Sequence, residues 1–98
     1  MTDVFTHEPD AARYVLLRDG VIASSLDYSV LGDSISMTRA YTNPRLRGHG
    51  LAGRLVEYAV DDVERTTRLR IIPMCWYVAE WFEAHPDRAG LLKPRSAA

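Results

Sequence analysis

The spacing of hydrophobic and polar residues changes once along the chain, near residue 50. Before that point, three segments are typical of half-buried β-strands: 13–18, which is aromatic and aliphatic, 21–30 and 35–42. Asp19-Gly20 separates the first two segments, and this dipeptide favours a tight hairpin because both of its residues accept positive φ. The first half therefore predicts three antiparallel strands.

The third of these segments follows a second turn, Leu31-Gly32-Asp33. A regular strand would place alternate side chains on one face. We expect that face to carry Ile35, Met37, Arg39 and Tyr41. Residues 1–11 are polar and acidic, and we expect them to be a flexible lead-in.

From Leu51 the apolar spacing lengthens to the period of an α-helix. Six apolar residues fall on one stripe: Leu51, Leu55, Val56, Ala59, Val60 and Val63. The helix should end near Thr66-Thr67, before a short apolar strand at residues 69–74. A strand–helix–strand connection of this kind normally joins parallel strands. A second helix is expected up to His85, because Pro86 ends the pattern.

These elements predict an α+β fold for a single domain at residues 12–93, followed by a tail at 94–98. A chain of 98 residues with 47% hydrophobic content supports one core. The single Cys75 forms no internal disulfide, and no cluster of metal ligands is apparent. A sequence pI near 6.3 argues against nucleic acid as a partner. No apolar run is long enough for a membrane span. We expect a cytoplasmic protein without a metal.

The segment between the third strand and the first helix is rich in arginine and contains Gly48 and Gly50. The first N–H groups of a helix lack intrahelical partners, and glycines let an anion approach them closely. No acidic residue occurs between Asp33 and Glu57, whereas four arginines do: Arg39, Arg45, Arg47 and Arg54. This segment, the glycine loop, therefore predicts a phosphate site. The strands before and after the first helix should splay apart at their C-terminal ends and leave a cleft beside it.

Two known phosphate motifs fit the glycine loop poorly. Residues 48–53 match G-x-G-x-x-G, but five residues, 43–47, separate the first glycine, Gly48, from the preceding strand. In addition, no Asp or Glu lies between Arg65 and Glu80 to bind a ribose. The P-loop lysine is absent, because Lys93 is the only lysine. A glycine-rich helix start with surface arginines is the alternative that involves no ligand.

The remaining motif, Arg45-x-x-Gly48-x-Gly50, occurs together with Pro73-x-Cys75 and His85-Pro86. This combination resembles the short, largely uncharacterised branch of the GCN5-related N-acetyltransferases over residues 14–92. The resemblance implies a minimal version of that fold and transfer of acetyl from acetyl-CoA to an amine, with CoA as product. It also implies a set of cofactor-binding residues: Tyr41, Thr42, Asn43, Arg45, Arg47, Gly48, His49, Gly50, Leu51 and Ala52.

Two residues near the second helix are candidates for catalysis. Cys75 is expected at the helix start, where it could carry acetyl, assist proton transfer to the CoA thiolate, or only fill the core. Tyr77 could donate a proton to the thiolate or pack in the core. Relatives of this branch often carry a histidine on the third strand. The aligned position here is Arg39, which stays protonated and is a poor base.

Three functions are therefore open at the level of sequence. The first is a small N-acetyltransferase whose acceptor is a small-molecule or protein amine. The second is a non-catalytic module that binds or senses acetyl-CoA, and the third is an interaction domain without a cofactor. We expect a monomer or a weak dimer.

Overall fold

Five strands form one sheet in the order β1-β2-β3-β4-β5 in the computed structural model, which describes residues 2–94. The strands are β1 Asp3–Glu8, β2 Arg13–Arg18, β3 Val21–Leu31, β4 Ser34–Thr42 and β5 Arg70–Pro73. The helices are α1 Leu51–Thr66 and α2 Trp76–Ala84, and short 3₁₀ turns occupy Pro9–Ala11, Pro44–Leu46 and Pro86–Leu91. The first four strands are antiparallel, and β5 runs parallel to β4. The predicted α+β class is confirmed.

The N-terminal segment corrects the sequence prediction, because it is a strand and not a flexible lead-in. Asp3 receives two hydrogen bonds from Arg18, at 2.8 and 3.0 Å, and one from Arg54 at 3.2 Å. The ring nitrogen Nε2 of His7 lies 2.6 Å from the Tyr28 hydroxyl. The polar residues of β1 thus have partners on other elements, and four antiparallel strands precede the glycine loop instead of three. Of the predicted tail 94–98, residues 95–98 lie outside the described residues.

A polar cluster fastens β1 and β2 to the C-terminal half of α1. The Tyr14 hydroxyl donates to the Asp62 carboxylate at 2.7 Å, and the His7 ring stacks on Tyr14 with centroids 4.2 Å apart. Burial, reinforced by this hydrogen bond to Asp62, raises the pKa of Tyr14 far above its ordinary value. Tyr14 therefore stays protonated and keeps its donor role at neutral pH.

Helix α1 buries the stripe that its sequence predicts. The buried residues of α1 are the six expected ones: Leu51, Leu55, Val56, Ala59, Val60 and Val63. In α2 the buried residues are Val78, Trp81 and Phe82. They join side chains of β2, β3, β4 and β5 in one core. Both α-helices pack on the same face of the sheet, and within residues 2–94 no helix covers the opposite face, which we call the open face.

A β-bulge in β4 alters which of its side chains face the helices. Arg39 pairs with Asp27 and Met37 pairs with Tyr28, so Thr38 is an extra residue in β4. Ile35 and Met37 are buried under the helices as predicted. Beyond the bulge the alternation is shifted by one residue, and Arg39 and Tyr41 lie on the open face. The prediction that these four side chains share one face is wrong for Arg39 and Tyr41.

None of the helices in residues 2–94 is long and apolar enough to cross a membrane.

The two-residue hairpin turn predicted at Asp19-Gly20 is present, with φ of 52° and 80°. The predicted parallel arrangement of the strands flanking α1 is also present, since Ile35 of β4 pairs with Ile71 of β5.

Candidate functional site

A cleft opens where β4 continues beyond the end of β5. The last pair between these strands joins Met37 to Pro73, and the N–H of Cys75 then donates to the Met37 carbonyl at 2.9 Å as the chain turns into α2. The remaining residues of β4, Thr38–Thr42, extend past this point without pairing to β5. The expected gap between the two strands is therefore present, although it arises because β5 stops rather than because the strands splay.

The cleft has a volume of about 440 Å³. Four elements contribute to its walls, namely β4, the glycine loop, the first turn of α1 and the start of α2. The lining residues are Ala40, Thr42, Leu46, Arg47, Gly48, Gly50, Leu51, Ala52, Cys75, Trp76 and Tyr77. This set contains no Asp, Glu or His, so the described lining includes no side chain that would serve as an ordinary general base.

The glycine loop presents the start of α1 to the cleft. Gly48 and Gly50 have φ of 86° and 71°, in the left-handed region that favours glycine. Gly50 is the N-cap residue of α1, and because it has no side chain the first turn receives no side-chain cap. An added Cβ at either glycine would meet no protein atom within 4 Å, so the space in front of the loop is open. The arrangement suits an anion that replaces the missing cap.

Fewer arginines lie beside the glycine loop than the sequence suggests. Arg47 lines the cleft and Arg45 is exposed on the preceding 3₁₀ turn. Arg54 instead reaches β1, where it bonds to Asp3 and lies over the Phe5 ring, 5.4 Å from its centroid. Arg39 is exposed on the open face because of the bulge at Thr38. Two of the four arginines are therefore directed elsewhere.

Cys75 forms the junction between β5 and α2. It is the N-cap residue of α2, and its carbonyl accepts the first helical hydrogen bond, from the Ala79 N–H at 3.0 Å. Its side chain is half-buried and contributes to the wall of the cleft. Cys75 is thus placed at a helix N-terminus next to the open end of β4.

Tyr77 lies in the cleft wall and brings α2 close to α1 at Gly53. Its hydroxyl lies 3.3 Å from the position that a Cβ on Gly53 would occupy, so Gly53 allows α2 to approach α1 closely. Burial raises the pKa of Tyr77, and the nearby Glu80 carboxylate adds to the effect. Tyr77 is therefore a protonated donor at neutral pH.

Eight of the twelve predicted site residues line this cleft: Thr42, Arg47, Gly48, Gly50, Leu51, Ala52, Cys75 and Tyr77. The other four are Tyr41, Asn43, Arg45 and His49, and none belongs to the lining. Tyr41 faces the open side of the sheet, because the bulge moves Ala40 into the cleft in its place. The Asn43 N–H is occupied by the Ala23 carbonyl at 2.8 Å, and its side chain caps the 3₁₀ turn by accepting from the Arg45 N–H.

Three lining residues were not anticipated from the sequence: Ala40, Leu46 and Trp76. Ala40 depends on the bulge, for which the sequence gives no local signal. Trp76 is 72% exposed. An aromatic residue directly after the helix N-cap was the available clue for Trp76.

The family profile described as GCN5-related N-acetyl-transferase matches residues 13–91. The chain belongs to the GCN5-related N-acetyltransferases. No curated protein matches it in sequence. The match includes β2 to α2 and the glycine loop, so it covers every element of the cleft.

Solved structures show that the chain has the fold of the GCN5-related N-acetyltransferases. The ribosomal-protein-S18-alanine N-acetyltransferase from Escherichia coli is similar with a TM-score of 0.60 and 18% identity, over 74% of this chain and 50% of that one. A predicted acetyltransferase from Clostridium acetobutylicum, solved with acetyl-CoA, has a TM-score of 0.51 and 12% identity, over 88% and 60%. The chain thus spans between half and two-thirds of the length of these proteins.

Proposed function

We propose that the protein is an acetyl-CoA-dependent N-acetyltransferase that moves acetyl to an amine of a small molecule or protein. The observation that carries the proposal is that the uncapped start of α1, with Gly48 and Gly50, opens into the same cleft as Cys75 and Tyr77. The proposed phosphate site would thus share one cavity with two candidate proton-transfer groups, Cys75 and Tyr77. Acetyl-CoA would supply the acyl group as a thioester.

The residues of the cleft fit such a ligand. The free N–H groups at the start of α1, together with Arg47, would bind the pyrophosphate. The stretch Thr38–Thr42 of β4 has no β5 partner on one side, so its peptide groups are available to pair with the amides of the pantetheine arm. No carboxylate in the lining would repel the phosphates.

Tyr77 and Cys75 are assigned to proton transfer. Tyr77 Oη keeps its proton at neutral pH and would donate it to the departing sulfur. Cys75, at the N-terminus of α2, would assist this transfer rather than carry acetyl, because neither a histidine nor a carboxylate lines the cleft to activate it. For the same reason the acceptor amine would enter neutral and lose its proton to solvent.

We also assign the chain to the short branch of the family. The support is the joint presence of Pro73-x-Cys75 at the start of α2 and His85-Pro86 at its end. His85 caps α2, since its Nδ1 lies 2.7 Å from the Trp81 carbonyl and its ring stacks on Trp81. Both motifs therefore fix the ends of the helix that carries the candidate catalytic residues.

A second candidate function is a non-catalytic module that binds or senses acetyl-CoA. It is favoured by one observation, that the lining lacks a general base. In this case the anion site would be retained, while the amine chemistry would be absent.

Turnover distinguishes the two functions. The mass of the purified protein is measured by native and denaturing mass spectrometry with and without acetyl-CoA. In a second assay, the release of free CoA from acetyl-CoA is measured in the presence of each amine of a panel. Amine-dependent CoA release is expected for the enzyme. Binding without any amine-dependent release across the panel would support the module, and absence of binding would refute both.

A further inference from the structure

The open face carries a row of alternating charges across four strands. The register pairs Glu8 with Arg13, Arg13 with Asp27, and Asp27 with Arg39, so the charges run minus, plus, minus, plus from β1 to β4. Paired residues of neighbouring strands point to the same face of a sheet. Glu8 and Arg13 also form an ion pair at 2.6 Å. All four side chains belong to the face that the helices leave uncovered.

Less polar rows lie beside this charged row. The adjacent row crosses the sheet as Thr6, Val15, Ser25 and Tyr41. The next row, which we call the apolar row, consists of Val4, Leu17 and Ile22. Val4 and Tyr41 are 47% and 42% exposed, which is a large exposure for apolar side chains in a sheet. The open face is therefore charged along one side and apolar along the other.

This pattern complements itself under one particular twofold rotation. Suppose that two copies meet face to face about a twofold axis that runs parallel to the strands, between β2 and β3. Each row then lies opposite the same row of the second copy, with β1 opposite β4 and β2 opposite β3. Glu8 then faces Arg39 of the second copy, and Arg13 faces the second Asp27. The apolar row also meets itself, with Leu17 opposite Ile22.

The other twofold axis in the plane of the sheet gives no such match. An axis perpendicular to the strands would place the charged row against the apolar row, or each charge against its own copy. Either arrangement buries unpaired or like charges, which is unfavourable. The order of charges across the strands thus selects one geometry.

We infer that the open face binds a second copy of this chain, as a face-to-face dimer with its axis parallel to the strands. Four strands about 4.8 Å apart and about six residues along each give a footprint of about 400 Å² per copy. That is roughly half of what a stable interface buries on each side. The dimer is therefore weak, and its population depends on protein concentration and on salt.

Sedimentation velocity of the full chain tests this inference between about 10 μM and about 1 mM protein. Dimer should increase over this range and should decrease as salt is raised from about 0.05 to about 0.5 M, because its central contacts are ionic. Wild-type protein that stays monomeric at the highest concentration at low salt would overturn the inference.

Charge reversal tests the predicted pairing directly. In a homodimer of Arg39→Glu, the new carboxylate faces the Glu8 carboxylate of the second copy at both ends of the charged row. In a homodimer of Glu8→Arg, the new guanidinium group faces the Arg39 guanidinium group of the second copy at both ends. Each variant alone should weaken association by at least about tenfold. Mixed in equal amounts, the two variants should form a heterodimer, because both of its end contacts then join opposite charges. Failure of the mixture to associate better than either variant alone would refute the geometry.

Two further variants, Val4→Glu and Leu31→Glu, distinguish disruption of the dimer interface from unfolding of the protein. Glu8→Arg also removes the ion pair with Arg13, so folding is checked by circular dichroism. Val4→Glu places a charge in the apolar row at an exposed position and should weaken the dimer without unfolding the protein. Leu31→Glu is the control, because Leu31 is 85% exposed at the β3–β4 turn, away from the charged row. Dimers that resist Val4→Glu but are lost in Leu31→Glu would place the interface elsewhere.

Discussion

Gly50→Asp is the sharpest test of the anion site. Gly50 is the N-cap residue of α1 and faces open space in the cleft, so a side chain there enters the volume assigned to the pyrophosphate. An Asp side chain would itself cap the first turn of α1 and leave a carboxylate beside the ligand. Gly50→Asn is the matched control, because Asn caps equally well, has the same size and tolerates the left-handed conformation, but carries no charge.

The difference between these two variants isolates the electrostatic effect. A carboxylate about 5 Å from one phosphate charge, at an effective dielectric constant between about 40 and 80, costs about 0.8 to 1.7 kcal/mol. Two such charges on the pyrophosphate give about 2 kcal/mol, or about a thirtyfold loss of affinity. The strain of placing a side chain at φ of 71° is common to both variants and cancels in the comparison.

Isothermal titration calorimetry with CoA measures the two dissociation constants. The ratio between Gly50→Asp and Gly50→Asn should be about thirty at low salt and should fall as salt screens the charges. Circular dichroism confirms that both variants fold. Equal affinities in two folded variants would exclude the start of α1 as the pyrophosphate site.

Three other predictions concern catalysis and stability. Cys75→Ala should still bind acetyl-CoA and lose about ten- to a hundredfold in kcat, whereas complete loss of turnover together with an acetylated wild-type thiol would show a covalent carrier. Tyr77→Phe should lower kcat by a similar factor with little change in KM, and an unchanged kcat would return Tyr77 to a packing role. Asp3→Asn should lower Tm at pH 7. Hydrogen bonds from Arg18 lower the pKa of Asp3 from 3.8 to about 2, so its stabilisation is present above pH 3.8 and lost as pH falls through about 2. The Tm difference between Asp3→Asn and wild type should therefore narrow over that interval.

The helices and the hairpin could be predicted because their determinants are local. The stripe from Leu51 to Val63 repeats at the helical period, and Asp19-Gly20 fixes its turn through the conformational freedom of two residues. The glycine loop and the position of Cys75 were likewise predicted from short motifs. These features place most of the cleft before any tertiary contact is known.

The features that were missed depend on partners far away in the sequence. Asp3 and His7 made β1 look like a polar lead-in, yet both face the helices and bond to Arg18 and Tyr28. Arg54 was counted among the arginines of the predicted phosphate site for the same reason, since its partner Asp3 lies 51 positions away. A polar residue marks a loose segment only when it has no partner, and pairing of this kind is not visible in a single sequence.

The bulge at Thr38 has a consequence for comparing this protein with its relatives. Removing Thr38 would leave Met37 opposite Tyr28 and Arg39 opposite Asp27, so a homologue one residue shorter here keeps the same pairing along the whole strand. An alignment without a gap at this position shifts every later residue of β4 by one. It assigns Arg39 to the cleft, although Ala40 is the residue that lines it. For a relative that is one residue shorter here, the apparent replacement of its histidine by Arg39 is therefore judged with a one-residue gap placed at Thr38.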